Sequence, residues 1–397
     1  MHRFVALSFL IFIGLPVVAA ERVEIFSAAV QVDSQQESDR ELAFVEALKQ
    51  VIVKISGDSA YLEEPLLNPI LSSPRRYVEG FSYQRNPWFT GQSLDFRGRG
   101  VVTEATSTDG YPENMTPERE YVLRVQFEET SLMQHVREIG LPVWGALRPN
   151  ILAWVVLQRE GERHLISSDY PQILATLKSE AERFGLPVFL PVGDLQDLSE
   201  VNLDELWGLF PSAVDEAGQR YPSDFKLLAR VYEADEGLEL KWSLLVGSSA
   251  SNGRAQAIEY RSLWRQMNEN IARELSKQFA VISDPTKDAQ ELVLVVSGIT
   301  RFVEYAKMVE HLESLSSVDT VLVKRVSQDK VDVLIRLHGS RGSFEQQVEL
   351  AGKMQAIMPD FFAETDAVTE ENESPEPDAS LSVESAHFYW LSSRENL

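Results

Sequence analysis

Apolar and polar positions alternate along this chain in short blocks, and the blocks predict three successive folded regions of mixed strand and helix. In the first, residues 21–140, Val23 to Val32 reads as a strand. From about Asp39, Leu42, Val45, Leu48, Ile52 and Ile55 recur on one stripe before Gly57, the spacing of an amphipathic helix stopped by glycine. Arg76 to Tyr83, with Tyr77, Phe81 and Tyr83 at even spacing, and Tyr121 to Phe127 read as further strands. Residues 86–117 between them are rich in Gly, Pro, Ser and Thr and read as a long loop.

The second region, residues 141–282, opens with the apolar run Ile151 to Leu157, as expected of a strand buried on both faces. Asp169 is placed to cap a helix beginning at Tyr170-Pro171, with Ile173, Leu174, Leu177, Ala181 and Phe184 inward. Leu186 to Pro191 reads as a short strand, and a helix is expected around Leu203, Leu206, Trp207 and Phe210. Phe225 to Tyr232 and Leu238 to Val246 form a hairpin at Glu236-Gly237, before a helix carrying Trp264, Met267, Ile271 and Leu275 inward.

The third region, residues 291–362, reads strand, helix, strand, strand, helix, with Phe302, Tyr305, Val309 and Leu312 as the inner stripe of its first helix. That order is most of a split βαβ sandwich and lacks one strand. Residues 363–385 form an acidic linker built around Pro375 and Pro377, too poor in apolar residues to pack. Residues 386–391, Ala-His-Phe-Tyr-Trp-Leu, are read as the missing strand, with a free tail as the alternative. The expected fold class is therefore α/β and α+β, multi-domain, with mixed sheets and helices and a ferredoxin-like (split βαβ) last domain.

The N-terminus has a different pattern. His2 and Arg3 precede an apolar stretch from Phe4 to Val18, and Val18-Ala19-Ala20 places small residues ahead of Glu21. Residues 1–20 are thus expected to be a signal peptide cleaved between Ala20 and Glu21, delivering the chain to the periplasm. No later stretch is long and apolar enough to span a membrane, so no transmembrane segment is expected once the signal is removed. A retained signal would instead tether the chain to the inner membrane.

Composition narrows the chemistry. A net charge of -24 repels phosphates and anionic head groups, so no nucleic-acid partner is expected. The absence of cysteine removes disulfides, thiolate metal sites and cysteine nucleophiles. No phosphate-cradling glycine loop precedes a helix, and no H-E-x-x-H or G-x-S-x-G is present. Ser223-Asp224-Phe225-Lys226 has the S-x-x-K spacing, but it leads into a strand, where positions three apart face opposite ways. The six histidines are scattered singly, and Asp194 and Asp197 read as loop acids that cap the next helix. No catalytic residue, metal site or cofactor is therefore expected.

The segment that stands out for binding holds Arg75, Arg76, Tyr83, Arg85, Trp88, Phe89, Arg97 and Arg99. Arginine and aromatic side chains dominate interaction hot spots, and a locally positive segment in so acidic a chain would suit an acidic partner or glycan. The competing reading makes the even-spaced aromatics sheet core and the arginines its wet edge. Trp88 and Phe89 fit that reading least.

Several segments together resemble the proteobacterial envelope family called domain of unknown function 2066. They are the strand after residue 20, the helix from Asp39-Arg40-Glu41-Leu42-Ala43 to Val53-Lys54-Ile55-Ser56-Gly57, Phe81-Ser82-Tyr83, and Gly185 to Pro191. The resemblance implies export and carries over no functional residue. At the level of fold, the second region is similar to the TolB N-terminal domain and to the middle domain of the flagellar protein FlgT, and the first to FlgT's opening domain. The expectation is an exported, non-enzymatic interaction or scaffold protein of the cell envelope, with an envelope protein as partner. The alternative is a periplasmic hydrolase or ligand-binding protein with a pocket between domains. Catalysis predicts titratable side chains converging in a cleft, whereas contact predicts an exposed apolar or arginine-aromatic patch.

Overall fold

The computed structural model describes residues 21–86, 119–234, 237–247, 249–283, 290–357 and 385–391. It has mixed α/β content in three modules, each built on its own sheet. No helix among the described residues is long and apolar enough to cross a membrane.

The first module contains β1 (Glu21–Arg22), β2 (Ser27–Val32), α1 (Glu37–Ser56), α2 (Asn68–Leu71), β3 (Val78–Arg85), β4 (Tyr121–Phe127) and α3 (Glu129–Glu138). Its antiparallel sheet runs β2-β4-β3. α1 lies on it through Phe44, Leu48, Val51, Ile52 and Ile55, which share one core with Leu123, Val125 and Phe127. The buried arc of α1 is rotated from the expected stripe, leaving Leu42 72% exposed while Phe44 points in. Gly57 ends the helix at φ 75°, and its N–H donates to the Val53 carbonyl at 2.7 Å. Tyr77 lies ahead of β3, buried, with its carbonyl accepting from Glu128 N, so only Phe81 and Tyr83 of the aromatic series share the strand.

The second module contains β5 (Leu147–Arg148), β6 (Ile151–Arg159), β7 (Glu162–Leu165), α4 (Pro171–Arg183), β8 (Val188–Phe189), α5 (Leu195–Glu200), α6 (Leu203–Trp207), β9 (Phe225–Ala234), β10 (Gly237–Val246), β11 (Ser249–Ala257) and α7 (Tyr260–Phe279). Its sheet runs β11-β10-β9-β6-β7, with β8 also paired to β6. β6 is parallel to β8 and β9, and the remaining pairs are antiparallel. The apolar run of β6 serves two cores. Ile151, Ala153, Val155 and Leu157 pack toward α4 and α7, while Leu152, Trp154 and Val156 pack toward α6 and its neighbours. Two local expectations are corrected. Tyr170 rather than Asp169 precedes α4, with no side-chain cap. α6 stops at Trp207, and Phe210 lies exposed beyond it.

The third module contains β12 (Gln290–Ser297), α8 (Phe302–Glu313), β13 (Val318–Ser327), β14 (Lys330–Leu337), α9 (Arg341–Ala351), β15 (Met354–Ala356) and β16 (Ser385–Trp390). Its sheet order is β13-β14-β12-β16-β15. The succession β12-α8-β13-β14-α9-β15 is that of a split βαβ sandwich. β16 enters between its first and last strands, parallel to β12 and antiparallel to β15. Ala386, Phe388 and Trp390 of β16 complete the core. On α8 the inward residues are Met308, His311 and Leu312, and Phe302 at the helix start is 80% exposed. α9 ends at Ala351, seven residues short of the expected end at Met358; Gly352 adopts φ 61° and turns the chain into β15.

The first two modules are joined by a continuous seam. β1 pairs with β5, Trp144 N donates to the Ile55 carbonyl at 2.7 Å, and Arg273 meets Asp58 at 3.1 Å. Arg148 is buried at the centre, stacked on the Trp144 ring, and donates to the Lys54 and Trp144 carbonyls at 2.6 and 2.8 Å. It thereby covers the negative end of α1. Glu180, fully buried, collects Arg183, Arg261 and Arg265, and Arg183 reaches on to Glu46 of α1.

Candidate functional site

The arginine-aromatic segment does not assemble into one surface among the described residues. Arg75 pairs with Glu41 at 2.9 Å, and Arg76 lies over the Tyr77 ring. Tyr83 is half-buried beside Phe81, which packs against Phe44 and Arg40. Arg85 is exposed at the far end of β3, opposite Tyr121. Seven strand residues separate Arg85 from Val78, so it stands roughly 20 Å or more from Arg75 and Arg76. Trp88, Phe89, Arg97 and Arg99 lie outside the described residues, as does Ala20; Glu21 begins β1.

The other polar residues singled out from the sequence serve local structure. Asp194 caps α5 by accepting from Asp197 N at 3.0 Å and holds Arg220 at 2.9 Å. Asp197 is buried and accepts from Gly193 N and the Tyr221 hydroxyl. Lys226 of the S-x-x-K stretch is on β9 and faces Asp215 at 3.5 Å. Among the described residues no group of three or more metal-ligating side chains comes together.

A cleft of about 1250 Å³ lies between the first and third modules. The extended chain from Arg22 to Phe26 and one side of α3 form one wall. The other comes from the α8–β13 connection and the end of β14. Phe26, Met133 and Ile282 give it apolar surface, and Glu24, Glu129, Glu138, Glu313 and Asp319 give it five carboxylates against the guanidinium groups of Arg22 and Arg137. Among the described residues no lysine or arginine lies at ion-pair distance from Glu24, Glu129, Glu138 or Glu313.

Arg137 crosses the cleft. Its Nη1 meets His338 Nε2 at 2.5 Å, and the same ring nitrogen lies 3.5 Å from Asp319. Burial, and then the Arg137 charge, push the His338 pKa down against the opposing pull of Asp319. The ring is therefore held neutral and accepts from the guanidinium. Three titratable groups thus converge here, the feature expected of a catalytic cleft. Of the serine hydroxyls nearby, Ser314 donates to the His311 carbonyl, Ser316 accepts from Gln347, and Ser340 meets Ser343. Among the described residues no nucleophile-to-base hydrogen bond is formed at this cleft. The residues lining the cleft lie in five separate stretches of sequence, so no local spacing signals them.

A second histidine is controlled chiefly by burial within the third module. His311 is enclosed beside Trp390, and burial, helped by Lys353, pushes its pKa down to about 4. The unfolded chain takes up that proton near pH 6.5, while the folded chain resists it to about pH 4. The stability of the neutral state is complete above pH 6.5 and is lost as pH falls toward 4. Between neutral pH and the lower value this amounts to roughly 3 kcal/mol. His311→Gln is expected to flatten the acid limb of a urea-unfolding series by most of that amount. An unchanged acid limb would show that the ring is solvated.

Residues 19–145 match the model of a domain of unknown function (DUF8605). The match ends two residues beyond Val143, the last residue of the first core. No curated protein and no solved structure matches the chain. The resemblance to domain of unknown function 2066 is thereby corrected, because the family model that matches is a different one, and the likenesses to TolB and FlgT find no support. The segments behind them, a glycine-stopped helix and short apolar strands, are what any α/β module needs to fold, and they do not identify a family.

Proposed function

We propose that this chain is an exported, non-enzymatic interaction protein of the bacterial cell envelope and that it receives a protein partner in the cleft between its first and third modules. The observation that carries the reading is the cleft itself. At about 1250 Å³ it exceeds the roughly 300–1000 Å³ typical of small-molecule pockets. Its two walls come from separately cored modules, and Arg137 to His338 is the side-chain hydrogen bond that bridges them among the described residues. Such a site suits a polypeptide better than a metabolite.

Export rests on the N-terminal pattern: positive residues, an apolar stretch, then Val18-Ala19-Ala20. Cells producing the full chain are expected to hold, in the periplasmic fraction, a form whose intact mass begins at Glu21. A cytosolic form beginning at Met1 would reject export. A photo-crosslinking residue at Met133 is expected to capture a partner in those cells, and the same residue at Lys241 on the second module is not. Equal yields at both positions would reject the cleft as the contact.

A hydrolase is the second reading, favoured by the convergence of Arg137, Asp319 and His338. It requires His338 to release Arg137 and take a proton from a nucleophile. Turnover of an ester or peptide substrate that is abolished by His338→Gln would establish it in place of the first.

A further inference from the structure

We propose that the segment received in this cleft is basic, carrying lysine or arginine side chains about four residues apart with apolar residues between them. This rests on the cleft being a contact site for a polypeptide, and it adds the partner's chemistry.

The argument is one of charge complementarity over an apolar floor. Glu24, Glu129, Glu138 and Glu313 are exposed at the cleft, and none of them is at ion-pair distance from a lysine or arginine among the described residues. Of the two guanidinium groups there, Arg137 is taken up by His338 and lies in the field of Asp319 and Glu129. The cleft therefore carries a net negative field, in a chain of net charge -24 that adds to it at long range. An acidic or strongly polar-anionic segment would be repelled, and a neutral one would leave the rim unmatched.

Spacing refines the choice. Glu129 and Glu138 stand at the two ends of α3, nine residues apart, which is roughly 13 Å along a helix axis. Residues four apart in an extended chain are separated by about the same distance. Phe26 and Met133, half-buried, and Ile282, 61% exposed, provide the apolar surface that the intervening side chains would cover. A segment with these features gains contact from the floor and selectivity from the rim.

The test uses the mature chain, residues 21–397, and two fluorescent twelve-residue peptides. One repeats Lys-Thr-Val-Thr three times and the other Glu-Thr-Val-Thr. Binding is read by anisotropy at low and high salt. The basic peptide is expected to bind about tenfold or more tightly than the acidic one and to weaken as salt screens the rim. Glu129→Lys with Glu138→Lys should remove that preference, and Glu24→Gln with Glu313→Gln, which leaves α3 intact, should reduce it. Glu162→Lys with Glu239→Lys, on the second module, should leave it within about twofold if the cleft and not overall charge is responsible. Equal loss with the second-module pair, a preference for the acidic peptide, or no binding of either peptide would overturn the inference. Crosslinking at Met133 reads use of the cleft whatever the partner's charge, so a basic-segment failure with successful crosslinks leaves the contact site standing.

Discussion

A chain ending at Ile357 is expected to lose the fold of the third module and keep that of the second. The cause lies in where β16 sits. It is not an outer strand: it hydrogen-bonds to β12 on one side and β15 on the other, so its removal also strips β15 of its neighbour. Phe388, packed edge-on against Phe344, and Trp390, packed beside His311, leave the core with it. Each aromatic truncation of this kind costs about 3–5 kcal/mol, and together they match the whole stability of a typical domain, about 5–15 kcal/mol. Hydrogen exchange should find the amides of Leu294 and Val333 unprotected in the shortened chain, with those of Val155 and Leu228 still protected. Trp390→Ala alone should cost only the single-residue amount and leave β12 protected. Protection at Leu294 unchanged by the truncation would mean that β16 docks without supporting the sheet.

That strand was legible because its inward positions, Ala386, Phe388 and Trp390, alternate with polar ones. An unbroken apolar run marked β6, whose seven apolar residues supply two cores, and helical spacing marked α7, whose Trp264, Met267, Ile271 and Leu275 all face in. Periodicity missed β11, Ser-Ala-Ser-Asn-Gly-Arg-Ala-Gln-Ala, which is an edge strand held by backbone pairing to β10 and needs little apolar content. It also placed Leu42 and Phe302 inside, where tertiary contact instead selected Phe44 and Met308. Periodicity reports that a face exists, and neighbouring elements decide which arc of it is covered.

The cleft was not legible for a different reason. Arg137 and His338 are 201 residues apart, and Glu24, Glu129, Glu313 and Asp319 come from three elements and a connecting segment. Nothing in the spacing of any one stretch marks them, because each is a single polar residue in its own stretch of chain. The arginine-aromatic segment was conspicuous in sequence, yet Arg75 and Arg76 lie ahead of β3 and are engaged locally, while Arg85 stands at its far end.

The seam that fixes the first module on the second can be probed at one atom. Gly57→Ala is expected to destabilise the protein by about 3 kcal/mol or more, although glycine-to-alanine changes at compatible sites usually help. Two costs add. At φ 75° an alanine is strained by about 1–2 kcal/mol. Its Cβ would also stand 2.2 Å from the Ser276 Cβ on α7 and 3.1 Å from the Trp144 ring, a clash that only separation of α1 from α7 can relieve. Ser276→Gly in the same chain removes the second cost and leaves the first, so the double variant should recover to within about 1–2 kcal/mol of the parent. Urea unfolding of both variants, followed by intrinsic tryptophan fluorescence, separates the two contributions. If Ser276→Gly restores nothing, the close approach of the modules at this point is not what Gly57 serves, and strain at the helix end accounts for the whole effect.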